Sequence, residues 1–281
     1  MPVRINRFQE MKQAGEPIPS ITAYDYPTAK LADAAGIPLI LVGDSLGNVV
    51  LGYDATVYVT MDDMVRHTQA VVRGAQQALI VADMPFMSYQ ASVEDAVRNA
   101  GRLIQEAGAH AVKLEGGKSI AESVKRITDA GIPVLGHLGL TPQSVNQLGG
   151  YRVQGRTLPQ AQELLEDAEA LEAAGVFAIV LESVPGPLAA VVTKRLRVPT
   201  IGIGAGAGCD GQIQVLHDVL GLSDRQPKHA KQYANLNQII EEAIAAYAGD
   251  VRDGNFPMAE HTTQIDDAVL RELMGGVPTD H

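Results

Sequence analysis

Cysteine is almost missing from this chain: Cys209 is the only one in 281 residues. No intrachain disulfide is therefore possible, and nothing points to an oxidising compartment. Trp is absent and aromatic residues make up 4%, which leaves no stacking platform for bases. Cationic residues are outnumbered, 22 Lys and Arg against 33 Asp and Glu, for a formal net charge of −11. The basic footprint that nucleic acid or an anionic membrane requires is missing. No apolar run approaches the length of a membrane span. The opening MPVRINRFQEMKQAGEP has no apolar core, so no signal peptide is expected. There is no Gly-x-Ser-x-Gly elbow and no P-loop Lys, and Cys209 has no motif around it, which leaves acyl-enzyme chemistry and P-loop ATP use unsupported. These absences leave a soluble, cytoplasmic, acidic α/β protein whose partners are small molecules.

What is present is a repeated grammar. Ile37–Gly47, IPLILVGDSLG, is a short apolar run that stops at Gly43-Asp44-Ser45. Such a run reads as a strand buried on both faces, the kind found in parallel sheets covered by helices. Similar runs fall at residues 20–24, 78–82, 110–114, 133–138, 176–181, 198–203 and 213–216. Helical spacing falls at residues 5–14, 25–35, 61–77, 92–107, 118–130, 159–174, 188–196 and 235–247. The junction Ala-Gly followed by a strand recurs at Gly36, Gly108, Gly131 and Gly175, where Gly suits a helix C-cap. Eight strand–helix units favour a single-domain (β/α)8 TIM barrel over an open sheet. The barrel is expected over residues 1–254. Residues 255–281 read as a polar extension of unknown role, with one more helical stretch at Asp266–Met274.

Four of the strands end in a carboxylate: Asp44, Asp83, Glu115 and Glu182. In a parallel barrel all four reach the rim that carries active sites. A single such acid is more often a helix cap or a solvated loop residue. Four converging on one mouth are costly unless a cation or a proton relieves them. Oxygen ligands without paired His or Cys favour a hard ion such as Mg2+ over Zn2+. Lys113 lies two residues before Glu115, so both side chains point to the same face. It either binds a substrate carboxylate or enolate oxygen, or pairs with one of the acids. His137 follows Gly136, which leaves room for an approaching group; it reads as a wall residue of the site that can hydrogen-bond substrate. GIGAGAG at residues 202–208 fits a dinucleotide pattern only loosely, and a close backbone approach or an anion site after a late strand is the better reading. The basic run Arg225–Lys231 reads as solvated surface or interface.

Longer strings carry a family resemblance. ITAYDYPTAKLADAAG, LVGDSLGNVVLGYDATVYVTMDDM, ADMPFMSY, VKLEGG, GHLGLTPQSVNQLGGYRVQGR, LESVP and IGIGAGAGCDGQIQVLHDVLG together closely resemble the ketopantoate hydroxymethyltransferase family, in the family's order, over roughly Arg4 to Gly254. The resemblance implies a (β/α)8 barrel that binds Mg2+. It implies transfer of a hydroxymethyl group from 5,10-methylenetetrahydrofolate to 3-methyl-2-oxobutanoate, a step of pantothenate biosynthesis. It also implies a large homo-oligomer, commonly a decamer. By position, Asp44 and Asp83 match direct metal ligands and Glu115 the third acid of the metal site. Asp44, Ser45, Asp83 and Lys113 match contacts to the 2-oxo acid, and Glu182 matches the proton acceptor. Arg225–Lys231 is only partly like the family, and residues after about Asn255 are expected to run past its usual end. Two other readings share some of these features. One is another Mg-enolate barrel lyase of the isocitrate lyase and phosphoenolpyruvate mutase type, which would not need folate. The other is a non-catalytic barrel that binds a small anion.

Overall fold

Eight short strands, all parallel, close on themselves in chain order. They are β1 (Ile18–Thr22), β2 (Leu39–Val42), β3 (Leu79–Asp83), β4 (Ala111–Glu115), β5 (Val134–Gly139), β6 (Ala178–Glu182), β7 (Thr200–Ile203) and β8 (Gly211–Gln214). The structure is a computed structural model that describes residues 3–150, 152–223 and 226–275. Closure comes from β1, which pairs with β2 on one side and with β8 on the other, Ile18 opposite Gly211. The expected (β/α)8 barrel is therefore the observed one.

Most of the strands are apolar because both of their faces are covered, and their alternate residues serve two separate cores; β8, with Gln212 exposed, is an exception. Leu39 and Leu41 of β2, Leu79 and Val81 of β3, and Ala178 and Val180 of β6 fill the barrel interior. Their neighbours Ile40, Val42, Ile80 and Ile179 join the layer between sheet and helices. The period of two of a strand thus separates the two layers. The outer helices include Tyr26–Ala34, Met61–Gly74, Val93–Gln105, Ala121–Asp129, Leu158–Ala174 and Gly186–Arg195. Thr60 and Asp63 form a capping box at the start of one, and Ser92 accepts from Asp95 N at the start of another; each satisfies N–H groups that a helix leaves orphaned.

The alternation fails once. Among the described residues no helix lies between β7 and β8; Gly204–Asp210 alone returns the chain. Here the expected close backbone approach is found. A Cβ on Gly206 would sit 3.0 Å from Gly186 Cα, and one on Gly208 2.7 Å from Ala190 Cβ. The Gly-rich turn is pressed against the helix Gly186–Arg195, and it does not line the cavity described below, so the alternative of an anion site gains no support.

The first helix, Ile5–Ala14, contributes Phe8 and Met11 to the interior core, and the Phe8 ring lies 5.9 Å from that of Phe177, just before β6. It therefore covers the end of the barrel opposite the strand carboxyl ends. Lys12 Nζ holds it there through Thr193 O, Val198 O and Asp210 Oδ2 at 2.8, 3.0 and 3.0 Å.

The chain divides into two compact units, Met1–Ala234 and Asn235–His281. The first is the barrel. The helix Leu236–Asp253, which the expected boundary at 254 assigned to the barrel, belongs to the second unit. It extends past the expected stop at Tyr247 to Asp253, where Gly254 takes a left-handed C-cap. A short helix, Asp267–Leu273, follows, close to the expected Asp266–Met274. Among the described residues no helix is long and apolar enough to cross a membrane.

Candidate active site

Four neighbouring strands bring their ends into one row. Asp83 of β3 is opposite Lys113 of β4, Glu115 opposite His137 of β5, and Gly139 opposite Glu182 of β6. Each charged residue falls at an inward position, in step with Val81, Ala111, Leu135 and Val180 of the apolar layer below. The strand period that fills the barrel with aliphatic side chains therefore stacks an ionic layer on top of them.

Within that layer Lys113 Nζ lies 2.7 Å from Asp83 Oδ1 and 3.6 Å from Glu115 Oε1. His137 spans the gap to the next strand: Nδ1 is 3.1 Å from Glu115 Oε1 and Nε2 is 3.2 Å from Glu182 Oε2. The contacts at Asp83 Oδ1 and His137 Nε2 are of ion-pair length but off the axis of a good hydrogen bond. Lys113 pairs with acids, one of its two expected arrangements, and still reaches the cavity. Asp44, just past β2, enters from the side. Its backbone N–H donates to Asp83 Oδ2 at 2.9 Å, and its Oδ2 accepts from Gln143 Nε2 at 2.9 Å. Ser45 Oγ lies 2.8 Å from Tyr24 Oη, whose ring is 5.4 Å from that of His217.

Burial decides the electrostatics. Asp44, Asp83, Lys113, Glu115 and His137 are each less than a tenth exposed. Burial pushes Asp44 well above the usual carboxylate range, and the charges of Asp83 and Glu115 push the same way. Asp83 is also raised by burial, against the opposing pull of Lys113. Glu115 goes down: Lys113 and His137 overcome the cost of its burial. Burial and Lys113 disfavour charge on His137, yet Glu115 and Glu182 outweigh them and raise it to about 9. This favours the imidazolium at neutral pH, with Nδ1–H donating to Glu115 and Nε2 at ion-pair distance from Glu182. Lys113 Nζ, 3.3 Å from His137 Nδ1, is then a neighbouring donor and not its partner.

Asp44 is left short of positive charge, since Lys113 and His137 serve the other acids. A hard divalent cation bound by carboxylate oxygens would relieve it, so the donor set fits one. Among the described residues no three His, Cys, Asp or Glu side chains are arranged to hold a metal ion by themselves; Lys113 Nζ stands between Asp83 and Glu115.

A cavity of about 800 Å³ opens above this layer. Every site residue expected from the sequence borders it: Asp44, Ser45, Asp83, Lys113, Glu115, His137 and Glu182. Gln226 and His229 also reach its rim, so part of the basic run expected to be solvated surface belongs to the mouth; Arg225 lies outside the described residues. Sequence reasoning missed Gln143, Tyr24 and Tyr89. Gln143 is 3% exposed and Tyr89 2%, and Tyr89 Oη lies 2.7 Å from Gln143 Oε1. A polar residue after Thr141-Pro142 reads as the start of a helix, so periodicity gave Gln143 no signal; the run of strand-end acids needing donors was the available one.

Comparison with known proteins follows the same lines. A family model described as ketopantoate hydroxymethyltransferase matches residues 2–259. A 3-methyl-2-oxobutanoate hydroxymethyltransferase of Dehalococcoides mccartyi is 61% identical over 274 residues, 97% of this chain and 98% of its own. One of Chloroflexus aurantiacus is 60% identical over 276 residues, 98% of each chain. The family model stops at residue 259, close to the expected end of the family's common part, while the alignments with these individual relatives run on into the tail. Among solved structures, phosphonopyruvate hydrolase in complex with oxalate and Mg2+ superposes with a TM-score of 0.60 at 16% identity, covering 98% of this chain and 95% of that one. 2,3-dimethylmalate lyase gives 0.58 at 15%, covering 98% and 100%; at such identities the likeness is one of fold. With an ionic row at the strand ends and relatives about three-fifths identical along nearly its whole length, the chain belongs to the ketopantoate hydroxymethyltransferase family.

Proposed function

We propose that the chain transfers a hydroxymethyl group to 3-methyl-2-oxobutanoate, with 5,10-methylenetetrahydrofolate as donor, in pantothenate biosynthesis. The observation that carries the reading is the row Asp83–Lys113–Glu115–His137–Glu182 across four neighbouring strands, in a chain about 60% identical to enzymes of that name.

The substrate must lose a proton from C3, next to its ketone, a very weak acid in water. Glu182 is the base: it is the least buried of the row, its side chain 17% exposed against 2% for Asp83 and Glu115. It therefore faces incoming substrate while the others face each other. His137 holds Glu182 by one ring nitrogen and Glu115 by the other, which fixes the base relative to the acids. Lys113 places a fixed positive charge where the enolate oxygen develops, in a dry site where such charge acts strongly. Asp44, Asp83 and Glu115 would hold Mg2+, which when bound supplies Lewis-acid polarisation of the keto oxygen. The C3–H electron pair then forms the bond to the one-carbon unit. Both C–N bonds of the methylene bridge break; water supplies the hydroxyl and one proton, the proton held by Glu182 supplies the other, and tetrahydrofolate leaves with both nitrogens protonated. Ser45, beside Asp44, is a second contact for the oxo acid.

The test is deuterium exchange at C3 of 3-methyl-2-oxobutanoate in D2O, followed by proton NMR without folate. Exchange should require Mg2+ and fall about 10²- to 10⁴-fold in Glu182→Gln, while binding of the oxo acid persists. Addition of methylenetetrahydrofolate should then give 2-dehydropantoate. Full exchange in Glu182→Gln sinks the base assignment. Exchange without transfer favours a lyase of the isocitrate lyase and phosphoenolpyruvate mutase type.

A further inference from the structure

Gln143 lies on the loop after β5, in the short turn Pro142–Ser144, and meets acids from two other strands with its backbone N–H and its side-chain amide. Its backbone N–H donates to Glu115 Oε2 at 3.0 Å and its Nε2 to Asp44 Oδ2 at 2.9 Å; Nε2 also reaches Met84 O at 2.9 Å. An amide of this shape could turn over end for end and present oxygen to Asp44, two acceptors face to face. Two donors prevent it. Tyr89 Oη at 2.7 Å and Gln90 Nε2 at 3.2 Å both meet Gln143 Oε1. Tyr89 is itself fixed, because its hydroxyl accepts from Glu115 N at 3.1 Å. Residues from four consecutive strand ends, after β2, β3, β4 and β5, therefore close one buried network through this side chain.

We propose that Gln143 is a positioning residue that presets Asp44 and Glu115 for a divalent cation. By occupying Asp44 Oδ2 it leaves Oδ1 for the ion, and by occupying Glu115 Oε2 it turns Oε1 toward His137 and Lys113; both carboxylates are held against rotation. Such outer partners of metal ligands are worth about 10- to 100-fold in metal affinity when removed. The inference rests on the reading of the acids as a cation site.

The experiment is a titration of the full-length protein with Mg2+ by calorimetry, and with Mn2+ by electron paramagnetic resonance, without substrate. The variants are Gln143→Met, which keeps length and removes the amide, and Tyr89→Phe, which keeps the ring and releases the amide's orientation. Thermal melts in chelator report folding separately. Gln143→Met should lower affinity for both ions about 10- to 100-fold with the chelated melt unchanged. Its kcat should largely recover at saturating Mg2+. Tyr89→Phe should shift affinity in the same direction by less. Wild-type affinity in a folded Gln143→Met overturns the proposal, and so does wild-type affinity in Tyr89→Phe should Gln143→Met not fold. Failure of the wild-type protein to bind either ion overturns instead the cation reading on which the proposal stands.

Discussion

His137 makes a pair of acids into a sequence of roles. Glu115 sits on one ring nitrogen and Glu182 on the other, so a change at 137 reaches both acids. His137→Gln should lower kcat about 10- to 100-fold, while Mg2+ titration shows a smaller change, since Asp44 and Asp83 keep their places. Asp83→Ala should act differently: it removes a ligand oxygen and the partner of Lys113, so calorimetry should show Mg2+ and oxo acid binding weakened together. Away from the site, Asp33 is the residue to test for stability. Burial disfavours its charge, but backbone N–H groups of Gln76, Ala78 and Gln77 at 2.7–3.0 Å outweigh that and hold it below the usual carboxylate range. A depressed folded value means that its contribution is present above the unfolded value of about 3.9 and is lost as pH falls through the folded one. Asp33→Ala should cost ~2–3 kcal/mol in urea unfolding near pH 7, and the gap from wild type should narrow toward pH 3. The acids, Lys113 and His137 were legible because strand ends announce themselves by apolar runs that stop. Gln143 and Asp33 were not, because each acts on backbone or side chains about 30 to 100 residues away, and no local pattern encodes such a partner.

Gly139 shows how an element, not a side chain, places the base. It ends β5 opposite Glu182, with φ at +92°. A Cβ there would stand 2.2 Å from Glu182 O, while the next residue, Leu140, donates its N–H to that same oxygen at 2.8 Å. The ends of β5 and β6 approach this closely because there is no side chain between them. Gly139→Ala should therefore push the Glu182 backbone outward and cost about 10²-fold in C3 exchange, with metal affinity nearly unchanged. Retention of wild-type exchange in a folded Gly139→Ala would show that the strand ends have slack. Strand positions were readable to within about two residues, since apolar runs and Ala-Gly junctions mark them. Gly36, Gly108, Gly131 and Gly175 all take positive φ, as a C-cap reading requires. The missing helix between β7 and β8 was not readable, because a Gly-rich run marks a turn without saying how short the return is.

At the scale of the whole molecule, the second unit carries a stripe of apolar side chains. Ile239, Ile244, Tyr247 and Val251 recur along Leu236–Asp253 and are 48–62% exposed, and that helix has no buried residue. An amphipathic helix buries such a stripe against a second apolar surface. We propose that self-association covers it: light scattering should give a mass several times 29.8 kDa, tenfold for the decamer implied by the family resemblance, and Ile244→Asp should lower it. A monomeric wild-type protein would end that reading. The barrel unit raises a different matter, one of timing. β1 and β8 are hydrogen-bonded neighbours, yet Gly211 is made some 190 residues after Ile18. At about 5–20 residues per second on the ribosome, β1 waits roughly ten to forty seconds with one edge unpaired. Over that interval the growing chain is an open sheet, with the attendant risk of pairing with a neighbouring nascent chain. The polar residues at alternate places on β8, Gln212 and Gln214, make the last strand to arrive the one least prone to stick elsewhere first.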